Sequence, residues 1–282
     1  DLVRLKQSFP QITTTKIHLD PRFPISRKMA LNVGIKSAHY ECMVFTSTDA
    51  VPQTDRWLSL MAKGFMRGEI VVGYCGVERG KGFSNYMMRA WRMMHSADWI
   101  ARAVQRRAYR GTLHNYGFTK SLYFGANGFS HLNMNIGEDD LFMQRVMTRD
   151  NVSVILSPRA SLREKMWGGM GWWMSQLRYF GSAFRFYPRA VKTFVRWEIG
   201  SRVLFFATVV CALAVMPPEY KLAALLLAVI RYVVVAFEVR RIARRLGEGG
   251  IAGRYFIYDL LGPLWAAALG AMLLRRDNRV WR

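Results

Sequence analysis

The chain has 282 residues, enough for one large domain with an appendage or for two modest domains, and its 41 Lys and Arg against 19 Asp and Glu give a formal charge of +22. That surplus points to a polyanionic partner: anionic lipid headgroups, nucleotide phosphates or nucleic acid. Three isolated cysteines, Cys42, Cys75 and Cys211, exclude a disulfide framework and a cysteine metal cluster and suit a reduced, cytosolic side. Up to about Arg196 the composition is mixed and water-compatible; beyond it, long apolar runs alternate with arginines. The chain therefore divides into a soluble domain over 1–196 and a membrane region over 197–282.

In chain order, no signal peptide opens the sequence. It begins with Asp1-Leu2-Val3-Arg4 inside an amphipathic helical pattern that stops at Pro10, so the natural N-terminus is expected to lie upstream. Ile12 to His18 alternates as a strand would, and Arg27 to Ala38 (RKMALNVGIKSA) has helical spacing. Cys42 to Thr46 is a short apolar run ending at Ser47-Thr48-Asp49, a buried strand entering a loop. A helix over Asp55 to Met66 and a core strand over Glu69 to Tyr74 follow. This alternation predicts an α/β sandwich with a largely parallel sheet, in which ligands sit beyond the carboxyl ends of the strands.

Phe83 to Arg110 is Met-, Trp- and Arg-rich without Pro and with no Gly, and reads either as a helix in the membrane interface or as a core helix with a solvated basic face. A loop over Gly111 to Gly128, an acidic helix start at Gly137-Glu138-Asp139-Asp140, a strand over Val152 to Leu156 and a Trp- and Gly-rich stretch over Met166 to Phe180 complete the soluble part. Three hydrophobic segments close the chain. Val203 to Met216 and Leu222 to Phe237, joined at Pro217-Pro218-Glu219, predict a transmembrane hairpin over about 200–237; 257–274, containing Asp259 and Pro263, either spans or lies in the interface. The arginine-rich segment after the hairpin places both its ends and the soluble domain in the cytoplasm. Arginines beside the apolar runs (Arg240, Arg241, Arg244, Arg245, Arg275, Arg276) favour lipid, at roughly 1 kcal/mol each near an anionic leaflet. With no zinc spacing and no recognition motif, nucleic acid is not expected as a partner.

Several residues invite chemistry, each beside a plainer reading. Asp49, where a strand ends, could hold Mg²⁺ or Mn²⁺ against a diphosphate or cap the turn before Pro52. The three acids Glu138, Asp139 and Asp140 suit a helix N-terminus, yet exceed what capping needs; a general base would be one of them. Arg178, with Ser175 and Gln176 among Trp167, Trp172 and Trp173, could clamp a diphosphate or snorkel from an aromatic belt. Lys28, Asn32 and Lys36 share a helix face that is either solvated or turned to a phosphate. His18, His39, His95, His114 and His131 show no ligand spacing.

In this order the pieces resemble the GT-A domain of family 2 glycosyltransferases, the group of cellulose and hyaluronan synthases, and are most similar to its membrane-anchored bacterial members. Arg27 to Gly34 is similar to the K-x-x-A-L-N-x-G helix at the donor nucleotide site, which implies donor contacts for Lys28 and Asn32. Phe45 to Pro52 resembles T-D-A-D-x-x-P, with Asp49 on the metal-binding Asp and Ser47 replacing the first Asp; Trp57-Leu58 matches the following W-L. Asn115 to Phe129 resembles the acceptor-side segment with its G-G-F turn, Asn127 standing for one glycine. Gly137-Glu138-Asp139 matches the G/T-E-D motif, whose Asp is the catalytic base, a role that falls on Asp139 with Glu138 beside the acceptor. Ser175 to Tyr179 sits where Q-x-x-R-W is expected, putting Arg178 on the donor and Trp173 on the acceptor side.

The resemblance implies an α/β, GT-A-like (Rossmann-like) nucleotide-sugar domain, with its first strand and uridine-binding Asp upstream of Asp1, followed by interfacial and transmembrane helices. The expected activity is inverting transfer from a nucleotide diphospho-sugar, UDP-sugar favoured, to a glycan or lipid-linked acceptor at the cytoplasmic face of the bacterial inner membrane, with Mg²⁺ or Mn²⁺, as in polysaccharide biosynthesis. Ser47 motivates an alternative, a membrane pseudoenzyme or assembly subunit of the same fold. A further rival is a basic scaffold binding anionic lipid or nucleic acid by charge alone.

Overall fold

A computed structural model describes residues 2–17, 26–112, 114–129, 138–184 and 186–274. Helix α1 (Leu2–Ser8) precedes α2 (Arg27–Ser37), whose N-terminus is capped by the Ser26 hydroxyl accepting from the Met29 N–H at 3.2 Å. There follow β1 (Cys42–Thr46), β2 (Ala50–Pro52), α3 (Trp57–Gly64), β3 (Ile70–Gly73), β4 (Cys75–Val77), α4 (Phe83–Val104), β5 (Asn115–Thr119), α5 (Lys120–Gly125), α6 (Glu138–Val146), β6 (Val152–Ile155), β7 (Leu162–Glu164) and α7 (Gly169–Phe184). Three long helices close the chain: α8 (Arg189–Val215), α9 (Pro218–Leu246) and α10 (Tyr255–Leu274).

The sheet is mixed. Its strand order is β1-β5-β3-β6, with β5 antiparallel to both neighbours and only β3 and β6 parallel. The expectation of a largely parallel sheet is thereby corrected, because β5 is inserted between the two strands that alternate with helices. Gly117 permits that insertion: a Cβ there would stand 2.5 Å from the Met43 carbonyl oxygen and 2.8 Å from the Phe65 ring. Central β3 is buried along its whole length, as expected of a strand covered on both faces. A second, three-stranded sheet, β2-β7-β4, was not anticipated.

Other expectations need correction too. Residues 12–17 form no strand, and His18 lies outside the described residues, as do His131, Gly137, Arg275 and Arg276. The stretch Gly111 to Gly128 contains β5 and α5 rather than a plain loop. Helix α4 stops at Val104, and Arg106 beyond it takes a left-handed conformation (φ 59°). Its arginines do not form a solvated face. Arg89 and Arg92 are buried with Met87 and Ile100, while Trp91 and Met94 are half-buried, so α4 is a core helix packed on β4, β6, α7 and α10.

Buried charges on α4 need partners, and distant segments supply them. Arg89 donates to Glu248 at 2.7 Å and to the Gly249 carbonyl at 2.8 Å; Arg92 donates to Glu164 at 2.9 Å. Glu248 also accepts from the Tyr74 hydroxyl at 2.9 Å and lies 3.7 Å from Arg163. Helix α9 ends in a Schellman turn, with Gly247 at φ 68° and the Glu248 N–H reaching the Ala243 carbonyl at 2.7 Å. Glu248 therefore joins the end of the hairpin to the α/β domain.

Two described helices, α8 and α9, are long and apolar enough to cross a membrane, and the protein covers almost none of their apolar stretches. Leu204, Val210, Leu226 and Leu227 are more than half exposed, the surface expected of a lipid-facing hairpin. Near the middle of both helices, Asp259 of α10 accepts from Arg231 at 2.5 Å and lies 3.7 Å from Arg202. A buried carboxylate is expected to be paired in this way.

Candidate functional site

Five of the residues singled out in the sequence, Ser47, Asp49, Gln176, Arg178 and Asp139, fall on one connected path. Ser47, Thr48 and Asp49 form the turn between β1 and β2. The Ser47 hydroxyl accepts from the Asp49 N–H at 3.4 Å, and the Asp49 carbonyl accepts from the Lys165 N–H at 3.2 Å. That leaves the Asp49 side chain exposed. Turn capping thus belongs to Ser47, and the Asp49 carboxylate is not consumed by it.

Strand β7 carries the path onward. Ala50 is the register partner of Glu164, which accepts from Arg92; the same Arg92 nitrogen lies 3.5 Å from the Gln176 side-chain oxygen on α7. Helix α7 then presents Arg178 and Tyr179. Arg178 is exposed, and the Tyr179 hydroxyl donates to Asp139 at 2.9 Å. Asp139 is only 4 % exposed, so this contact holds its carboxylate in one orientation. The acids of α6 divide their work. Asp140 accepts from Arg110 at 3.0 Å and from the Tyr187 hydroxyl at 2.6 Å and is fully buried, so it anchors the helix.

The remaining sequence candidates lie elsewhere or offer less. Asn32 accepts from the Tyr123 hydroxyl at 3.2 Å, which ties α2 to α5; Lys28 is half-buried on α2. Asn127 is exposed with a left-handed backbone (φ 58°), immediately before Gly128 at φ 54°. Glu138 is the first residue of α6. Trp173, expected beside an acceptor, is 1 % exposed and packs on Trp265 with ring centroids 5.1 Å apart, so it presents no surface in this conformation. Trp167 is 54 % exposed, with Lys165 over its ring.

Tyr179, Arg92 and Glu164 were not among the sequence candidates. A signal existed for Glu164, a lone acid between Arg163 and Lys165, but none for its partner 72 residues away. Among the described residues no group of three or more His, Cys, Asp or Glu could hold a metal ion. A single exposed carboxylate is still compatible with a divalent ion that takes most of its ligands from a diphosphate and water.

Two histidines lie against this frame, and neither is charged. Burial, then Arg110 and Arg92, hold His95 well below the usual imidazole range. Arg110 can only donate, so its contact to His95 Nε2 makes that nitrogen an acceptor and puts the proton on Nδ1. Burial, then Arg92, Arg27 and Arg110, pull His114 down to about 3, so its 3.9 Å approach to Glu164 is a polar contact rather than an ion pair. Above the unfolded imidazole value of about 6.5, neither state of His114 carries a proton and its contribution is complete. Below that value the unfolded chain takes up a proton that the folded site refuses, so stability falls by about 1.4 kcal/mol per pH unit until pH approaches 3. Asp140 acts in the opposite sense, because burial pushes its carboxyl up. The difference in unfolding free energy between wild type and His114→Gln, measured at pH 7.5 and pH 5, isolates the imidazole. A difference that does not change with pH would refute a neutral His114.

No protein-family model matches the chain, and no curated protein matches it either.

Proposed function

We propose that the chain is an inverting, membrane-anchored glycosyltransferase with a GT-A-type domain, moving a sugar from a nucleotide diphospho-sugar to a glycan or lipid-linked acceptor at the cytoplasmic face. The observation that carries this reading is a buried carboxylate, Asp139, oriented by Tyr179 from the helix that also presents Arg178. Resemblance to the family's motifs, in the right order and followed by two apolar helices, supports it.

In this reading the donor lies along the turn after β1, its phosphates facing Asp49, Lys28 and Arg178. The Arg178 fork suits diphosphate oxygens. Asp49 would hold Mg²⁺ or Mn²⁺, which supplies positive charge to the leaving diphosphate. Asp139 takes the proton from an acceptor hydroxyl as that oxygen bonds to the anomeric carbon. The bond from that carbon to the diphosphate breaks on the opposite face, the nucleoside diphosphate departs with the electron pair, and configuration inverts in one displacement. Tyr179 keeps the base aimed, and Trp167 gives an exposed aromatic surface on which a sugar ring can rest.

The test is turnover by the full-length protein in lipid nanodiscs, across UDP- and GDP-sugars with Mg²⁺ or Mn²⁺. Metal-dependent release of the nucleoside diphosphate from at least one donor is expected. Binding without release would favour the pseudoenzyme, a reading motivated by Ser47, whose hydroxyl serves the turn where the family pattern has a carboxylate. Neither binding nor release across the panel would sink the proposal.

A further inference from the structure

We infer that the concavity between residues 156–158 and the last turns of α9 is a binding site for the phosphate headgroup of an anionic phospholipid. It is an open hollow of about 380 Å³ lined by Leu156, Pro158, Arg241, Arg244 and Arg245. Its arginines stand at i, i+3 and i+4, one face of the helix, and all three are exposed. Three like charges within about one turn repel one another unless an anion lies between them.

Elsewhere the protein pairs arginines with carboxylates: Arg89 and Arg163 with Glu248, Arg92 with Glu164, Arg110 with Asp140. Among the described residues no carboxylate lies within ion-pair distance of Arg241, Arg244 or Arg245. Nor does the helix end occupy them. Arg163 donates to the Leu246 and Gly247 carbonyls at 3.0 and 2.8 Å, and Gly247 makes the closing turn. The opposite face of α9 is pinned by buried Val239, Ala243 and Leu246, so the row is presented on a fixed support.

Depth selects a lipid over a soluble anion. Counting ~20 helical residues from Glu219, enough to cross the hydrocarbon, reaches Glu238. Arg241 to Arg245 occupy the next turns, at headgroup level. Guanidinium forks match phosphate oxygens, while Leu156 and Pro158 give an apolar wall for the glycerol end.

This inference rests on the membrane placement of α8 and α9, and not on sugar transfer. Nanodiscs mixing phosphatidylglycerol with phosphatidylcholine would be loaded with full-length protein, and the lipid retained after mild detergent extraction counted by native mass spectrometry. Enrichment of phosphatidylglycerol by at least about tenfold over its share of the bilayer is expected from three clustered arginines. It should be lost in R241Q/R244Q/R245Q, reduced in R244Q alone, and kept in R240Q, whose Arg240 does not line the hollow. Equal retention in the triple variant, or an equal loss in R240Q, would overturn the site in favour of diffuse charge. Displacement of the lipid by millimolar inorganic phosphate would overturn it in favour of a soluble anion. Failure to enter nanodiscs would refute the membrane placement itself.

Discussion

Asp139→Asn is expected to lower sugar-nucleotide turnover by about 10²–10⁴-fold, the span attributable to a lost general base, while leaving the fold in place. The amide is nearly the shape of the carboxylate, and its oxygen can still accept from the Tyr179 hydroxyl, now 2.9 Å from Asp139 Oδ1. What it cannot do is take a proton. Unfolding should therefore shift little, and donor binding should persist, because the donor residues proposed are Asp49, Lys28 and Arg178. Tyr179→Phe separates aiming from chemistry. Loss of its hydrogen bond frees the carboxylate to turn away from the acceptor, so kcat should fall while the KM for the donor stays near wild type. Full turnover by Asp139→Asn would refute the base, and an unchanged kcat in Tyr179→Phe would deny Tyr179 its positioning part.

Local pattern carried far where elements are long or sharply bounded. The sequence expectation for β1 matches Cys42–Thr46, and α2 and β6 agree to within a residue. Ser26 punctuates α2 through its cap, and Pro217 divides the hairpin. Pairing was another matter. Strands β2, β4 and β7 have three residues each, too short for alternation to register, and they exist because they pair with one another. The place of β5 is likewise a property of its neighbours: Gly117 shows that a close approach is tolerated, but not that Met43 makes it.

The same division holds at the site. Asp49 and Asp139 stand out as candidates because a carboxylate after a strand and one beyond capping needs are each unusual in type and place. Trp173 misled because its neighbour Trp265 lies on α10, outside any local window. The arginines of α4 misled most. A sequence shows Arg89 and Arg92 as basic residues on a helix, and their natural reading is solvent or lipid. Glu248 and Glu164 stand 159 and 72 residues away, and only folding makes those arginines interior groups.

Those long-range pairs set the second large expectation. Glu248→Ala should destabilise the protein by about 3–5 kcal/mol, as breaking one side of a buried pair leaves the other charge without compensation. Glu248 is 4 % exposed and serves Arg89, Tyr74 and Arg163 together, so its loss strands a buried guanidinium and a buried phenol in one step. Glu248→Gln keeps the shape and an acceptor but not the charge, and should cost less. Since Glu248 follows the Schellman turn that ends α9, the damage should fall at the junction between hairpin and domain. Limited proteolysis reads this directly: cleavage near the Glu248-Gly249-Gly250 segment is expected to rise in Glu248→Ala, ahead of global unfolding. If thermal unfolding and cleavage in Glu248→Ala both match wild type, the pair network does not fasten the apolar hairpin to the domain. In that case the packing of α4 against α9, and of α10 against α8 and α9, is sufficient by itself.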